Sequence, residues 1–226
     1  MVFYFLVLLN FFTFDYFIKT KADEIRKKST RIPSLVSESK LKERSRDLWL
    51  NDLDVNKVQI LLKEKFGFEL GLEDPLILAH FPCKIKKRKV FIRILFDSAN
   101  DHWVCLTTLG SEPGQAFLYD SLKRTNITGE LANTICQTLP DGEDRITIKV
   151  ITAQEQTGNW QCGYFALANA TALCFNLKPE NLSFDENILR QHYIDMIINN
   201  SKLTMPPYVV KKKPHSGRDN VIFLMR

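Results

Sequence analysis

The pattern of apolar and polar positions changes near residue 44, after which apolar residues recur at the spacings of helices and strands. Apolar residues at helical spacing predict helices over 54–66, 129–139 and 186–199. Asp52 or Asp54 is the expected N-cap of the first helix. The nearly continuous run of small and apolar residues over 162–175 predicts a buried helix, preceded by a turn at 157–159.

Short runs rich in β-branched and aromatic residues predict four strands. The first two are separated by a short polar stretch and should therefore form a hairpin. Because strands are followed by further helices rather than alternating with them, the order indicates an α+β fold rather than a doubly wound sheet. The four predicted strands span 90–96, 103–109, 116–119 and 146–151.

The same pattern predicts four segments: an apolar stretch (1–20), a polar linker (21–43), a folded domain (44–208) and a loose basic tail (209–226). The apolar run 2–18 is at the short limit for a membrane span and contains an acidic residue. A membrane anchor, a packing segment and a wrongly assigned start of the reading frame remain open. An anchor would keep the rest of the chain on the cytosolic side, because basic residues follow the apolar run.

The amino-acid composition indicates the class of protein but no particular chemistry. A chain of 226 residues, 45% hydrophobic and 25% charged, is typical of one soluble globular domain. The net charge of +5 comes largely from three basic clusters, and no aromatic residues interleave with them as base-stacking platforms would. We therefore expect no nucleic-acid partner.

The cysteines favour a reducing compartment. There are five, an odd number, and no pair has the CxxC spacing of a zinc or redox site. One glycosylation sequon, at Asn169, falls inside the predicted buried helix, where a glycan could not fit. Both observations indicate the cytoplasm or the nucleus.

The candidate chemistry centres on Cys162, where a glycine-containing turn meets a helix of small residues. Unpaired N–H groups and the helix dipole favour a thiolate at such a position. A thiol nucleophile also needs a base and a group that orients it. His102 begins one predicted strand and Asp120 follows the next, so adjacent strands could bring them side by side. Gln156, six residues before Cys162, could donate to an oxyanion together with the Cys162 N–H.

The runs HWVCL, LYDSL and QTGNWQCGYFALANATAL resemble the Ulp/SENP family of SUMO- and NEDD8-processing cysteine proteases. The segment WLNDLDVNKVQILL resembles the start of that family's domain, so the resemblance covers roughly residues 44–205. It implies a papain-like cysteine protease fold, with a small, mostly antiparallel central sheet flanked by helices. It also implies a monomer that cleaves after the Gly-Gly end of SUMO, NEDD8 or their conjugates, without metal or cofactor.

The resemblance assigns His102, Asp120 and Cys162 to the triad and Gln156 to the oxyanion hole. It further implies that Trp49 and Trp103 line a narrow tunnel for the Gly-Gly tail; ordinary core packing is the alternative for both.

Two departures from the family pattern keep other functions open. Gln161 stands before the nucleophile where the family usually has Asp, and the interval from Asp120 to Cys162 is short. An adenovirus-type or mobile-element endopeptidase is one alternative. The other is a non-catalytic module that binds a ubiquitin-like protein.

Overall fold

The structure, a computed structural model, describes residues 49–67, 71–75, 90–122, 124–139, 145–199, 201–211 and 220–225. All of them belong to one compact unit that extends over Arg46–Arg226. The apolar segment 1–20, the linker 21–43 and the proposed anchor 2–18 lie outside the described residues, and the domain boundaries stay predictions. None of the helices within the described ranges is both long enough and apolar enough to cross a membrane.

The first helix, α1 (Asp52–Phe66), begins two residues earlier than predicted. Its N-cap is Asn51, so the prediction of Asp52 or Asp54 is wrong. The Asn51 side chain accepts a hydrogen bond from the Asp54 N–H at 2.9 Å, and the Asp54 carboxylate accepts one from the Asn51 N–H at 3.2 Å. This reciprocal capping box satisfies two N–H groups that the helix leaves unpaired, which is why the helix starts there.

A five-stranded sheet forms the centre of the unit. Its strands are β1 (Ile92–Asp97), β2 (His102–Thr107), β3 (Gln115–Tyr119), β4 (Arg145–Ile151) and, after two short strands that lie outside this sheet, β7 (Asn220–Met225). β1 and β2 form the predicted antiparallel hairpin, β3 pairs antiparallel with β2, and β4 lies parallel to β3. β7 pairs antiparallel with β4 and gives the strand order β1-β2-β3-β4-β7.

Three more helices and a two-stranded ribbon complete the described architecture. The predicted helices are confirmed as α2 (Gly129–Thr138), α3 (Cys162–Cys174) and α4 (Glu186–Asn199). A 3₁₀ turn (Pro179–Asn181) leads into β5 (Leu182–Ser183), which pairs with β6 (Val209–Val210). The α+β class and the mostly antiparallel sheet are thus as expected from the sequence.

Helices cover both faces of the sheet, and an apolar cluster lies beneath each helical layer. The α3-side cluster includes Ile94, Trp103, Cys105, Phe165, Leu167 and Tyr193, and the α2-side cluster includes Leu95, Val104, Leu118, Leu131, Ile135 and Ile148. α3, with α1 and α4 beyond it, covers one face, and every residue of α3 from Cys162 to Leu173 is buried. α2 packs on the other face, against β1. The small residues of α3 explain its position, because they let a helix that is apolar all round approach the sheet closely.

The prediction of a loose basic tail over 209–226 is wrong for Asn220–Met225, which form the strand β7. Ile222 and Leu224 of β7 pack against the α2-side cluster, and the strand completes one edge of the sheet. Val221 and Phe223 point to the other face and are about half exposed. The strand is therefore held by alternate residues and by its ladder to β4.

Candidate active site

The sheet brings His102 and Asp120 together at one end. His102 is the first residue of β2, and Asp120 directly follows β3. Antiparallel pairing of Cys105 with Tyr119 places the start of β2 beside the end of β3. The Asp120 N–H donates to the Ile151 carbonyl at 3.0 Å, which extends the pairing with β4 by one residue. His102 Nε2 consequently lies 2.6 Å from Asp120 Oδ1, and both side chains are buried.

The environment of His102 favours the imidazolium. Burial lowers its pKa, but hydrogen bonds to Asp120 and Cys162, with the negative charge of both groups, raise it more, to about 9. With Nε2 committed to Asp120, the other ring nitrogen, Nδ1, is available to the thiol. The imidazole therefore lies between a carboxylate and a thiol, the arrangement that nucleophilic cysteine catalysis requires.

The Asp120 carboxylate is held in its ionised form. Burial raises its pKa, but the His102 hydrogen bond and the charges of His102 and Arg124 lower it more, so it lies below its ordinary value. Oδ1 also accepts from the Leu122 N–H at 2.9 Å, and Oδ2 accepts from Arg124 Nε at 2.6 Å. A carboxylate with three donors has little freedom to rotate.

Cys162 is the first residue of α3 and is almost completely buried. The N–H groups of a helix's first turn have no partner within the helix, so they face the region of the thiol. A Cβ added at Gly163 would lie 3.1 Å from the Leu50 Cβ and 3.3 Å from the Trp103 Cδ1. Glycine at 163 thus lets the start of α3 pack directly against β2 and the segment before α1.

Gln156 lies beside the loop that leads to the nucleophile. Its Oε1 accepts from the Ser121 hydroxyl at 2.6 Å, and its Nε2 donates to the Gly158 carbonyl at 2.5 Å. Because a carbonyl oxygen can only accept, the Gly158 bond fixes which end of the amide is the donor. One of the two Nε2 hydrogens is used by Gly158, which leaves the second for an oxyanion.

Gln161, which departs from the family's usual Asp, fastens this loop to α4. Its Oε1 accepts from the Gly158 N–H at 2.5 Å, and its Nε2 donates to Thr157 Oγ1 at 3.2 Å and to Glu186 Oε2. The Thr157 hydroxyl also donates to Glu186, at 2.7 Å. The residue before Cys162 is thus tied by its side-chain amide to a glutamate of α4.

The two tryptophans with a predicted substrate role differ in exposure. Trp103 is buried in the α3-side cluster, where it stacks near Phe96 and donates from Nε1 to the Leu50 carbonyl at 3.1 Å. Trp49, next to Leu50, is 47% exposed. Trp103 therefore belongs to the core and Trp49 to the surface, and the substrate role of both stays a prediction.

The chain has three histidines besides His102. His192 lies on α4, where its Nε2 is 3.1 Å from the Thr204 carbonyl, and His80 and His215 lie outside the described residues. Across the described part of the chain, no three His, Cys, Asp or Glu side chains are grouped so that they could hold a metal ion.

Sequence reasoning missed the residues that support the site: Arg124, Asp97, Ser121 and Glu186. Ser121 carried the only local signal, because it directly follows Asp120. The other three come from separate elements, and only the folded chain brings them to the triad.

No family model and no curated protein sequence matches the chain. Among solved structures, the chain is similar to one described as the SUMO protease Ulp1 with its catalytic cysteine oxidised to a sulfonic acid. That match has a TM-score of 0.52 and 14% identity, and it covers 80% of this chain and 95% of the other. The chain therefore has the fold of an Ulp1 protease domain.

A second solved structure is the C-terminal Ulp1 protease domain in complex with SMT3, the yeast ortholog of SUMO. It has 14% identity, a TM-score of 0.43, and coverage of 67% of this chain and 77% of the other. The first match confirms the predicted fold. Fold alone does not determine which bond is cleaved, so the reaction has to be argued from the site.

Proposed function

We propose that this chain is a cysteine peptidase that hydrolyses the bond after the Gly-Gly end of a ubiquitin-like modifier of the SUMO class. The observation that carries the proposal is the buried line of Asp120, His102 and Cys162, with 2.6 Å between carboxylate and imidazole and the thiol at a helix N-terminus. Burial keeps water away from the hydrogen bonds, which strengthens their electrostatic effect.

In the proposed mechanism, His102 holds the proton that the Cys162 thiol gives up, as an imidazolium, and the thiolate attacks the carbonyl carbon of the terminal glycine. Asp120 stabilises the imidazolium that results and keeps its ring oriented. The imidazolium then protonates the leaving amine, either a lysine side chain or a peptide nitrogen. Water attacks the thioester with His102 as base, which releases the glycine carboxylate and restores the thiol.

The negative charge that develops on the attacked carbonyl oxygen needs donors already in position. The free Nε2 hydrogen of Gln156 and the Cys162 backbone N–H are the proposed donors. Gly158 and Ser121 support this role, because the Gly158 carbonyl excludes the flipped orientation of the amide and the Ser121 hydroxyl holds the amide oxygen.

Selection for glycine is proposed from the resemblance to the Ulp/SENP family, which implies a narrow slot beside Cys162, and the close packing at the start of α3 supports a slot of this kind. Gly163 contacts Leu50 and Trp103 too closely for even a Cβ to be added without a shift. Trp49, half exposed beside Leu50, is the proposed outer wall of the slot. A tail without side chains can thread such a slot, whereas a branched residue would clash.

The SUMO class is proposed from two supports: the Ulp1-type fold and the resemblance of the His102, Asp120, Gln156 and Cys162 motifs to the Ulp/SENP family. Cleavage of NEDD8, which the same motifs predict, stays an untested prediction.

The proposal is tested by turnover of SUMO that carries a C-terminal amide reporter, compared with ubiquitin and NEDD8 reporters. Cys162→Ala and His102→Ala should abolish turnover, whereas the matched histidine variant His192→Ala should retain it. SUMO with its last glycine changed to alanine should be a poor substrate. Turnover of unfolded peptides but of no modifier would support the endopeptidase alternative and contradict the proposal.

A further inference from the structure

We infer that Arg124 is a positioning residue of the triad: its guanidinium bridges Asp120 to a second buried carboxylate, Asp97, and so fixes the carboxylate that orients His102. The inference rests on the proposed function for its catalytic meaning, although the hydrogen bonds themselves can be tested without a substrate.

The geometry is that of a guanidinium held between two acids. Arg124 Nε donates to Asp120 Oδ2 at 2.6 Å, and Nη1 donates to Asp97 Oδ2 at 2.6 Å. Neither carboxylate side chain is exposed, and the arginine side chain is only 15% exposed. A planar guanidinium with donors in a fixed fork restricts both acids at once, which a lysine ammonium cannot do.

Asp97 is itself anchored from other elements. It is the last residue of β1, and its backbone pairs with His102 in the hairpin. Its carboxylate accepts from Asn100 Nδ2 at 3.0 Å and from the Thr128 hydroxyl at 2.7 Å. The arginine therefore ties the segment after β3 to the end of β1 and to the start of α2.

The charges explain why the bridge is needed. Asp120 is faced by His102 from β2, by Arg124 from its own loop, by Asp97 across the guanidinium, and by Cys162 beyond the imidazole. Without Arg124, two buried carboxylates would share one imidazolium. Asp120 would then bind a proton at a higher pH, because like charges and burial both disfavour its ionised form.

A proton resonance provides a readout that does not depend on substrate. A ring N–H that donates to a carboxylate at 2.6 Å should give a strongly downfield proton signal in NMR. In the wild type this signal should persist to low pH, because Asp120 stays ionised there. In Arg124→Met, the Asp120 carboxylate is less well oriented and its pKa is higher. Both changes weaken the hydrogen bond from the His102 ring N–H, so the signal should disappear at a higher pH than in the wild type.

The experiment compares the wild type with Arg124→Met, Arg124→Lys and a matched control, Lys65→Met. The control removes one positive charge and a hydrogen bond to the Leu203 carbonyl, on α1 and outside the site. For each protein, the pH at which the downfield signal is half lost, the kcat and KM on the SUMO reporter, and the circular dichroism spectrum are measured.

Arg124→Met should lower kcat by about 10- to 100-fold with KM nearly unchanged, because misplacement of a catalytic group affects the reaction step rather than binding. Arg124→Lys retains the charge, so its changes in kcat and in the pH at which the signal is half lost should be smaller. This variant provides the test if Arg124→Met fails to fold. Lys65→Met should match the wild type in the signal.

Two results separate failure of this inference from failure of the proposed function. If no modifier is cleaved but the signal shifts as described, the proposed substrate is wrong and the positioning role stands. If both Arg124 variants keep the wild-type signal and kcat, Arg124 has no positioning role, whatever the substrate.

Discussion

In the proposed mechanism, His102 is the residue on which the site depends, because it exchanges protons with Cys162 while Asp120 holds its ring. Both partners raise its pKa against the effect of burial. At neutral pH the imidazole is therefore already charged. In the proposed mechanism this charged ring is the acid that protonates the leaving amine.

The first prediction concerns the alkaline limit of activity. Because the pKa of His102 is raised from 6.5 to about 9, the imidazolium persists through neutral pH and is lost as the pH passes about 9. Turnover of the SUMO reporter should therefore fall above this value. The same raised pKa stabilises the fold fully below pH 6.5, and this contribution is lost as the pH rises through about 9.

The measurement is kcat/KM from pH 5 to 10.5, with the thermal midpoint recorded in the same buffers. A decline that begins near pH 7, or a plateau that continues to pH 10.5, would contradict the assigned environment of His102.

The second prediction concerns Ser121. Ser121→Ala removes the hydroxyl that orients the Gln156 amide and should lower kcat about tenfold, the equivalent of one net hydrogen bond. Gln156→Ala should cost more, about 10²- to 10³-fold. The double variant should be no worse than Gln156→Ala alone, because Ser121 acts through the glutamine.

A serine elsewhere provides the control. Among the described residues, the Ser111 hydroxyl donates to the backbone carbonyls of Thr108 and Gln115, in the loop between β2 and β3. Ser111→Ala should therefore leave kcat unchanged. If Ser121→Ala behaves like Ser111→Ala, Gln156 is not oriented by Ser121.

At the scale of elements, strong periodicity determined what the sequence could predict. The α3 helix and the β1–β2 hairpin were predicted because their apolar patterns are long and uninterrupted. β7 was missed because its short apolar run at 221–225 lacks the alternation of a half-buried strand, and because its partner, β4, is 70 to 80 residues away in the chain. Asn51 was missed as N-cap because three neighbouring residues, all of types that cap helices, offered the same signal.

The site divided along the same line. Motif spacing identified His102, Asp120 and Cys162, which the fold brings to one end of the sheet. It could not identify Arg124 or Asp97, because an arginine and an aspartate in polar loops are ordinary surface residues until tertiary contacts bury them. Predicting that network would require the register of β1 and β2 and the position of α2.

The third prediction tests the placement of β7. Leu224 packs against the α2-side cluster, whereas its neighbour Phe223 is half exposed. Leu224→Asp should lower the free energy of unfolding by about 2–4 kcal/mol, because it brings an unpaired charge to an apolar contact. Phe223→Asp should cost less than about 1 kcal/mol. Urea unfolding measures both, and equal effects would mean that β7 does not pack as described.

At the scale of the whole molecule, the site is a product of the complete unit. Its parts come from the β1–β2 hairpin, the loop after β3, the loop before α3, and α4. A fold shared with an Ulp1 domain at 14% identity shows that this fold tolerates extensive sequence change. Under the proposed function, the surfaces that contact a modifier can therefore differ from those of Ulp1 while the fold is kept.

The most direct test of the central claim is intact-mass analysis of the protein after incubation with C-terminally reactive SUMO, NEDD8 and ubiquitin. The account predicts one adduct, with SUMO, located on Cys162 by peptide mapping and absent in Cys162→Ala. Cys105, Cys136 and Cys174 serve as internal controls and should stay unmodified. A folded protein that forms no adduct with any of the three modifiers, or one that reacts at another cysteine, would contradict it.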